Sequence, residues 1–165
     1  MELDRIDRKI LTLMQQNGRI SNLELAESIG LSATPCSRRV KRLEELGVIR
    51  QYVTLLDAEK LGLGIKVIIS VSMDRHTPER FDNFAEQIGR FPEVVECSIV
   101  TGQEADFLVT ALLPDMSFFE EFLLGRLTGI KGVTGVRSSF VLRKMIDRTD
   151  VPLNHIDNPI QSAKS

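Results

Sequence analysis

The chain has 165 residues, of which 42% are hydrophobic and 27% are charged, and its formal net charge is −2. A compact fold of this length buries roughly 70% of its unfolded surface, so one large domain or two small ones need no metal or disulfide for stability. The Pro and Gly content excludes a collagen-like or low-complexity chain, and Cys36 and Cys97 form no C-x-x-C pair, which argues against a disulfide framework and a cysteine-rich zinc site.

No uncharged apolar run reaches the roughly 18 residues that a membrane span requires. The N-terminal stretch MELDRIDRKI alternates charged and apolar side chains and has no signal-peptide core. We therefore expect a soluble, cytoplasmic protein with no membrane partner. Residues 1–50 carry a small net positive charge and residues 51–165 a small net negative charge, an asymmetry that often separates a nucleic-acid module from a partner module.

Residues 1–50 contain the signals of three helices followed by a strand. Apolar residues recur at helical spacing up to Met14, and Asn17-Gly18 ends that pattern. Ser21 and Glu24 have the spacing of a capping box, in which each side chain bonds the other residue's backbone N–H. Pro35 suits the first turn of the next helix, where a missing N–H costs little. The predicted elements are a helix over 4–16, a short helix closed by Gly30, a helix that ends at Leu46 before Gly47, and a strand over 48–56.

Residues 65–145 have a different order, strand-helix-strand, which occurs twice. The predicted strands cover 66–73, 94–100, 107–113 and 133–145, and the predicted helices begin at Thr77-Pro78 and at Asp115, the second of them ending at Leu127. A faint internal repeat maps Phe84 and Ile88 onto Leu123 and Leu127, so both halves have the same passage from helix to strand. Two such units make a ferredoxin-like βαββαβ sheet with helices on one face, and a second copy of the chain is one way to cover the other face.

The predicted fold class is therefore α+β. We divide the sequence into a helix-turn-helix, winged-helix-like domain over 1–50, a strand and connector over 51–64, a ferredoxin-like domain over 65–149 and a C-terminal tail over 150–165. The tail is rich in Pro, Asn and Ser and has no periodicity. We expect it to be frayed and partly docked.

The third predicted helix has side chains that are typical of a DNA recognition helix. On a helical wheel with about 100° per residue, Cys36, Val40 and Leu43 form the core face, where Cys36 is expected to be a small buried hydrophobe. The opposite face carries Thr34, Arg38, Lys41, Arg42 and Glu45. Helix-turn-helix proteins place the N-terminal part of such a helix against base edges in the major groove. A solvated helix face is the alternative, but the capped helix and the short turn before it favour DNA contact.

The stretch LSATPCSRRVKRLEELGVI, preceded by LDRIDRKILTLMQQNGRISNLELAESIG, closely resembles the Lrp/AsnC family of bacterial and archaeal transcription regulators. In the second half the resemblance rests on VVECSIVTG, Asp106-Phe107 and VTGVRSSFVLRKMI, and it covers about residues 2–150. It implies homodimers paired through their C-terminal sheets and often assembled further into tetramers of dimers. Two recognition helices per dimer would then read a pseudo-palindromic site whose half-sites lie one helical turn, roughly 34 Å, apart.

The resemblance also assigns the residues that face DNA. Arg39 lies nearer the flank of the wheel, where it either reaches the DNA backbone or pairs locally. The residues carried over as DNA-facing are Ser32, Thr34, Pro35, Ser37, Arg38, Lys41 and Arg42.

The family's regulatory domain commonly binds an amino acid at the interface between dimers and marks the site with Gly-x-x-Asp-Tyr after a strand. Here the corresponding stretch, Gly102 to Phe107, is one residue longer, which leaves open whether Glu104 or Asp106 takes the ammonium of the ligand. Backbone N–H groups around a glycine turn can hold the carboxylate. The resemblance therefore implies an amino-acid effector, and leucine or another apolar amino acid is our guess.

The predicted effector residues are Thr101, Gly102, Gln103, Glu104, Asp106, Ser138 and Ser139. A plain hairpin turn with a locally capping Asp is the alternative for the loop. Ser138 and Ser139 lie on opposite faces of the last predicted strand, and interface packing explains them as well as a pocket does.

Catalysis, metal binding and cofactor binding have little support in the sequence. His76 and His155 lie in no spaced cluster with Cys or carboxylates, so we predict no zinc site. The sequence has no G-x-S-x-G elbow, Walker-type loop or dinucleotide fingerprint. Two alternatives to a DNA-binding regulator stay open. Some proteins that resemble this family decarboxylate tetrapyrroles, for which Arg75 and His76 would line a pocket, and others without a helix-turn-helix sense metabolites without binding DNA.

Overall fold

The computed structural model of the protein describes residues 3–101 and 105–153. Over these residues the chain divides into two compact units. The first, here called the helical unit, holds the residues up to Leu55 together with those from Ile146 onward, and the second, the sheet unit, spans Leu56–Met145. None of the helices in these described ranges is long and apolar enough to cross a membrane. The finer division of the sequence into four segments stays a prediction.

The described part of the helical unit contains three helices around one apolar cluster. They are α1 (Arg5–Gln16), α2 (Asn22–Ile29) and α3 (Ala33–Glu45). Ile10, Leu25, Cys36 and Leu43 are at most 2% exposed, because apolar residues at helical spacing give each helix one face that packs inward. The three predicted helices and the buried position of Cys36 are confirmed.

The strand predicted over 48–56 is wrong. Val48 and Ile49 pack against the apolar cluster of the helical unit, and residues 50–57 have no regular secondary structure. Alternating apolar residues are only half of what a strand needs, because its backbone N–H and C=O groups must also pair with a neighbouring strand. The described residues of this unit include no second strand, and the side chains over 52–56 are mostly exposed.

The sheet unit is built on an antiparallel sheet that, among the described residues, has four strands in the order β2-β3-β1-β4. The strands are β1 (Ile65–Met73), β2 (Val94–Ile99), β3 (Phe107–Leu113) and β4 (Val133–Phe140). The helices between them are α4 (Pro78–Ile88) and α5 (Met116–Glu120). Each helix joins two strands that are separated by a third, which is the ferredoxin-like arrangement. The predicted βαββαβ order and the α+β fold class are confirmed.

One face of this sheet carries the core of the unit. Val67, Ile69 and Val71 alternate along β1 and are fully buried, since a period of two places them on the same face. Phe84 of α4 packs on Phe107 of β3 with the ring centroids 4.4 Å apart. The helices therefore cover one face of the sheet, whereas side chains on the other face, such as Ile68 and Leu108, are only half-buried.

The second helix of the sheet unit changes its winding within the predicted range. Beyond α5 it continues as a π-helix over Glu121–Leu127, in which the N–H of Thr128 donates to the carbonyl of Leu123 at 3.0 Å. Five-residue spacing places Phe122 and Leu127 on one face, and both are fully buried.

The last strand is shorter than the predicted 133–145. Its ladder with β1 closes with the N–H of Val141 donating to the carbonyl of Lys66 at 2.9 Å. Because β1 begins at Ile65, it offers no further backbone groups for residues beyond that point.

Gly132, just before β4, is expected to tolerate no side chain. Its φ is +99°, and an added Cβ would lie 2.5 Å from Cδ of Arg80 and 2.9 Å from Oδ1 of Asp74, two side chains joined by an ion pair. We expect Gly132→Ala to lower the free energy of unfolding by about 2 kcal/mol, measured by urea denaturation. Gly129→Ala is the matched control, because its Cβ would have an ordinary contact of 3.5 Å. Equal stability of the two variants would mean that Arg80 and Asp74 move aside for a side chain at position 132 without lowering the free energy of unfolding.

Candidate nucleic-acid interface and effector loop

Caps define both ends of α2, and one side-chain hydrogen bond joins its start to the start of α3. Oγ of Ser21 accepts from the N–H of Glu24 at 3.2 Å, and Oε2 of Glu24 accepts from the N–H of Ser21 at 2.8 Å, so the predicted capping box is confirmed. Gly30 ends α2 with a φ of 73°. Nδ2 of Asn22 donates to the carbonyl of Ala33 at 2.9 Å and thereby joins the first residue of α2 to the first residue of α3. The left-handed Gly30 and the bond between Asn22 and Ala33 set the direction in which α3 leaves the turn.

One face of α3 is packed and the opposite face is open. Cys36 and Leu43 are almost completely buried, and Val40 packs partly against the same cluster. Pro35 is half-buried in the first turn of the helix. Ser32 is the N-cap, and its side chain makes no capping hydrogen bond. The exposed residues among those predicted to face DNA are Ser32, Thr34, Ser37, Arg38, Lys41 and Arg42.

The open face has cations that the described part of the protein does not neutralise. Arg38 and Arg42 form no ion pair within residues 3–101 and 105–153. Nζ of Lys41 lies 3.7 Å from Oε1 of Glu45, but both side chains are exposed, and such a pair contributes little. The N-terminus of α3 adds unpaired backbone N–H groups and a positive dipole end. This arrangement suits a phosphate-rich ligand along the helix.

Arg39 lies on the flank of the open face and points back to α1. Its Nη1 is 2.6 Å from Oδ2 of Asp4 and 2.7 Å from Oδ1 of Asp7. Asp4 and Asp7 also form the capping box of α1, in which Oδ1 of Asp4 accepts from the N–H of Asp7 at 2.7 Å. Arg39 therefore pairs within the protein, which was one of its two predicted roles, although its partners lie on another helix.

The ionisation of this cluster follows from its geometry. Partial burial raises the pKa of Asp4, but the backbone N–H of Asp7 and the guanidinium of Arg39 outweigh it, so the pKa falls below its ordinary value. Hydrogen bonds to Asp4 and then to Asp7 raise the pKa of Arg39. The carboxylate of Asp4 and the guanidinium thus stay charged together near neutral pH, and their interaction fastens α3 to α1.

A further bond, which the sequence did not predict, fixes the chain where it leaves α3. The hydroxyl of Tyr52 donates to Oε1 of Glu44 at 2.8 Å. Burial, together with the hydrogen bond to Glu44 and its charge, raises the pKa of Tyr52 to about 12. A spacing of eight residues across a turn has no helical or strand signature, so no sequence signal connects these two side chains.

In the sheet unit, Asp106 binds its neighbours with its backbone and with both carboxylate oxygens. Its N–H donates to the carbonyl of Val71 at 2.8 Å, and its Oδ2 accepts from the N–H of Met73 at 2.7 Å. Oδ1 lies 2.8 Å from Nε2 of His76, whose ring also meets Phe81 edge-on with centroids 6.0 Å apart. Asp106 is 18% exposed and His76 is 70% exposed, so the pair is open to solvent on the histidine side. No spacing in the sequence connects His76 with this loop.

The remaining predicted effector residues lie in different places. Thr101 is exposed after β2, and Gly102, Gln103 and Glu104 lie outside the described residues. Ser138 is half-buried opposite Ile69, and Ser139 is exposed on the other face of β4. The strand β1 separates β4 from β3, so the two serines and Asp106 lie on opposite sides of β1. Within the described ranges no cluster of three or more His, Cys, Asp or Glu side chains is placed to hold a metal ion.

Two family descriptions match this sequence, one in each half. The winged helix-turn-helix DNA-binding domain matches residues 3–50, and the Lrp/AsnC ligand binding domain matches residues 66–151. The chain belongs to the Lrp/AsnC family. The resemblance inferred from the sequence motifs is thereby confirmed.

Relatives of this Lrp/AsnC protein are similar over nearly its whole length. The Bkd operon transcriptional regulator of Pseudomonas aeruginosa is 41% identical over 92% of this chain and 99% of its own. The leucine-responsive regulatory protein of Escherichia coli K12 is 38% identical over 87% of each chain. A solved complex of a Neisseria meningitidis transcriptional regulator with L-Met has a TM-score of 0.89 and 42% identity, covering 93% of this chain and 99% of that one.

Removal of the guanidinium that joins α3 to α1 is expected to destabilise this Lrp/AsnC protein. Asp7 is 2% exposed, so Arg39→Met would leave a buried carboxylate without its cation and lower the free energy of unfolding by about 2 kcal/mol. Urea denaturation followed by circular dichroism measures the change. Arg38→Met removes the same charge from the adjacent exposed position and should shift stability by less than about 0.5 kcal/mol. If both variants unfold at the same urea concentration, the ion pair does not hold α3.

Proposed function

We propose that this protein is a sequence-specific DNA-binding transcription regulator whose DNA occupancy or assembly responds to a small amino acid. The observation that carries the proposal is the open face of α3, on which Arg38, Lys41 and Arg42 are exposed. The flank of the same helix is joined to α1 by the ion pairs of Arg39. Two relatives that are named as transcriptional regulators, from Pseudomonas aeruginosa and Neisseria meningitidis, support it. The described side chains of this face offer charged and polar contacts to a polyanion. We propose no enzymatic activity and no cofactor.

In this proposal α3 enters the major groove and reads bases with its N-terminal half. Arginine side chains reach guanine edges, and hydroxyls such as that of Ser32 reach phosphates near the helix N-terminus. Each phosphate that is neutralised makes the logarithm of the affinity fall with the logarithm of the salt concentration, with a slope near −0.9 per contact. The residues proposed to face DNA are Ser32, Thr34, Pro35, Ser37, Arg38, Lys41 and Arg42.

We also propose that two copies pair through the open face of the sheet. Four side chains of the two central strands point away from the helices and are only half-buried. They are Ile68 and Ser70 of β1 and Leu108 and Leu112 of β3. A second copy that covers this face would give one dimer two α3 helices, and two-fold symmetry then favours a pseudo-palindromic DNA site. Further assembly into a tetramer of dimers, and a cytoplasmic location, belong to the same proposal.

For the effector we propose an amino acid with an apolar side chain, leucine or a similar one, bound at the loop between β2 and β3. The Neisseria relative was solved with L-Met, and the Escherichia relative is named as leucine-responsive. The proposed ligand residues are Thr101, Gly102, Gln103, Glu104, Asp106, Ser138 and Ser139. Asp106 already accepts from the N–H of Met73 and contacts His76, so an ammonium at this carboxylate has to share it with His76 or displace that side chain. Glu104 is the other candidate partner of the ammonium.

The two alternative functions receive less support. A tetrapyrrole decarboxylase would need Arg75 and His76 in its pocket, but His76 contacts the carboxylate of Asp106 and meets the ring of Phe81 edge-on. A metabolite sensor that binds no DNA gives no reason for the exposed cations of α3. Loss of DNA binding in variants of these cations would count against the sensor.

Replacement of the proposed base-reading arginines is expected to weaken DNA binding. Arg38→Ala and Arg42→Ala should each cost roughly 1–3 kcal/mol of binding free energy, and a residue that reads a base should also reduce the preference for the native site. Fluorescence anisotropy with duplex DNA from upstream of the protein's own gene, compared with a scrambled duplex, measures both effects. Arg90→Ala, which removes an exposed arginine from the sheet unit, is the control. Unchanged affinity in both α3 variants would show that this is not the recognition face.

Loss of the carboxylate charge at the loop is expected to abolish the response to amino acids. Asp106→Asn keeps an acceptor for the N–H of Met73 but removes the charge that attracts an ammonium. DNA affinity without amino acids should stay within about twofold of the wild type, while the shift caused by a mixture of amino acids should disappear. Asp82→Asn on the exposed side of α4 is the control. A full response in Asp106→Asn would move the ammonium contact to Glu104, which Glu104→Gln then tests.

A further inference from the structure

The C-terminal part of the chain returns to the helical unit after it has completed the sheet unit. The division between the units falls at Met145 and Ile146, and the described residues 146–153 belong with α1, α2 and α3. Most of this segment is exposed, including Ile146 at 72% and Val151 at 60%. It nevertheless meets α1 and the apolar cluster at two defined points. We call residues 146–153 the strap.

The first point is a pair of hydrogen bonds between one side chain and one backbone residue. Oε1 of Gln15 accepts from the N–H of Val151 at 2.7 Å, and Nε2 of Gln15 donates to the carbonyl of Val151 at 3.4 Å. A carboxamide has both groups of a peptide unit, so Gln15 takes the place that a neighbouring strand would have. Neither a carboxylate nor an aliphatic side chain at this position offers both a donor and an acceptor.

The second point is apolar. Leu153 is half-buried and packs against the cluster that Ile10, Leu25 and Leu43 form inside the helical unit. It follows Val151 by two residues, so the polar and the apolar contact fix the same short stretch of backbone. An apolar side chain that leaves water in this way stabilises the docked position.

We infer that the strap is a second attachment of the helical unit to the sheet unit. The chain passes from one unit to the other at Leu55 and Leu56, and again at Met145 and Ile146. If the strap were free, only the first passage would limit the orientations of α3. Docking at Gln15 and Leu153 would limit the orientations of α3 a second time. Less orientational freedom would then be lost when two α3 helices bind one DNA site. This inference rests on the dimer and the DNA site proposed above.

The expected consequence is specific to DNA that engages two helical units. Gln15→Leu should lower the affinity for a duplex with two half-sites by roughly threefold or more, and leave the affinity for a duplex with one half-site unchanged. Gln16→Leu, at the next and exposed position of α1, is the matched control. Leu153→Ser should act like Gln15→Leu, whereas Val151→Ser changes an exposed side chain and keeps the backbone bonds.

An equal loss of affinity for both duplexes would overturn the inference, because the contact would then merely stabilise the helical unit. Unchanged affinity of Gln15→Leu and Leu153→Ser for the duplex with two half-sites would also overturn it.

Hydrogen exchange tests the contact without DNA. The amide proton of Val151 is bonded to Gln15, so its exchange should be slower in the wild type and in Gln16→Leu than in Gln15→Leu, by roughly fivefold or more. Equal exchange rates in all three proteins would mean that the strap is not docked. A wild type that binds both duplexes with equal affinity would instead overturn the proposed dimer, and the exchange rates would still decide whether the strap is docked.

Discussion

The helical unit depends on one guanidinium between two carboxylates. Arg39 reaches from α3 to Asp4 and Asp7, the two residues that cap α1. Asp7 is almost completely buried, and a buried charge persists only where a partner matches it. Arg39 is thus occupied within the protein, whereas Arg38 and Arg42 form no ion pair within the residues that the structure describes. Of these adjacent basic residues, Arg39 therefore stabilises the fold, and Arg38 and Arg42 are available for the proposed DNA contacts.

In the sheet unit, the carboxylate of Asp106 likewise has two roles. Asp106 ties the start of β3 to the end of β1 through Val71 and Met73, and it also holds His76. A ligand shifts a conformational equilibrium only if it binds the two states with different affinity. An amino acid that competed for this carboxylate would alter bonds at the end of a central strand. If an amino acid binds this carboxylate as proposed, its binding would change hydrogen bonds at the junction of β1 and β3.

The two units are joined by more than a single connector. The polypeptide crosses between them twice, and residues 146–153 dock on α1 through Gln15 and Leu153. In the proposed dimer, this second connection would reduce the orientational freedom that two recognition helices lose on one DNA site. Tyr52, three residues before the first crossing, is bonded to Glu44 near the end of α3.

The elements whose signals are local could be predicted from the amino-acid sequence. The capping box at Ser21, the buried stripe through Cys36 and the βαββαβ order were all readable because caps and periodicity involve residues only a few positions apart. The folded chain alone shows which groups meet across long separations, such as Arg39 with Asp7, Asp106 with His76, and the side chain of Gln15 with the backbone of Val151. It also shows that residues 48–56 form no strand, because alternation of apolar residues does not supply a partner. Pairing depends on distance in space, which no spacing along the chain encodes.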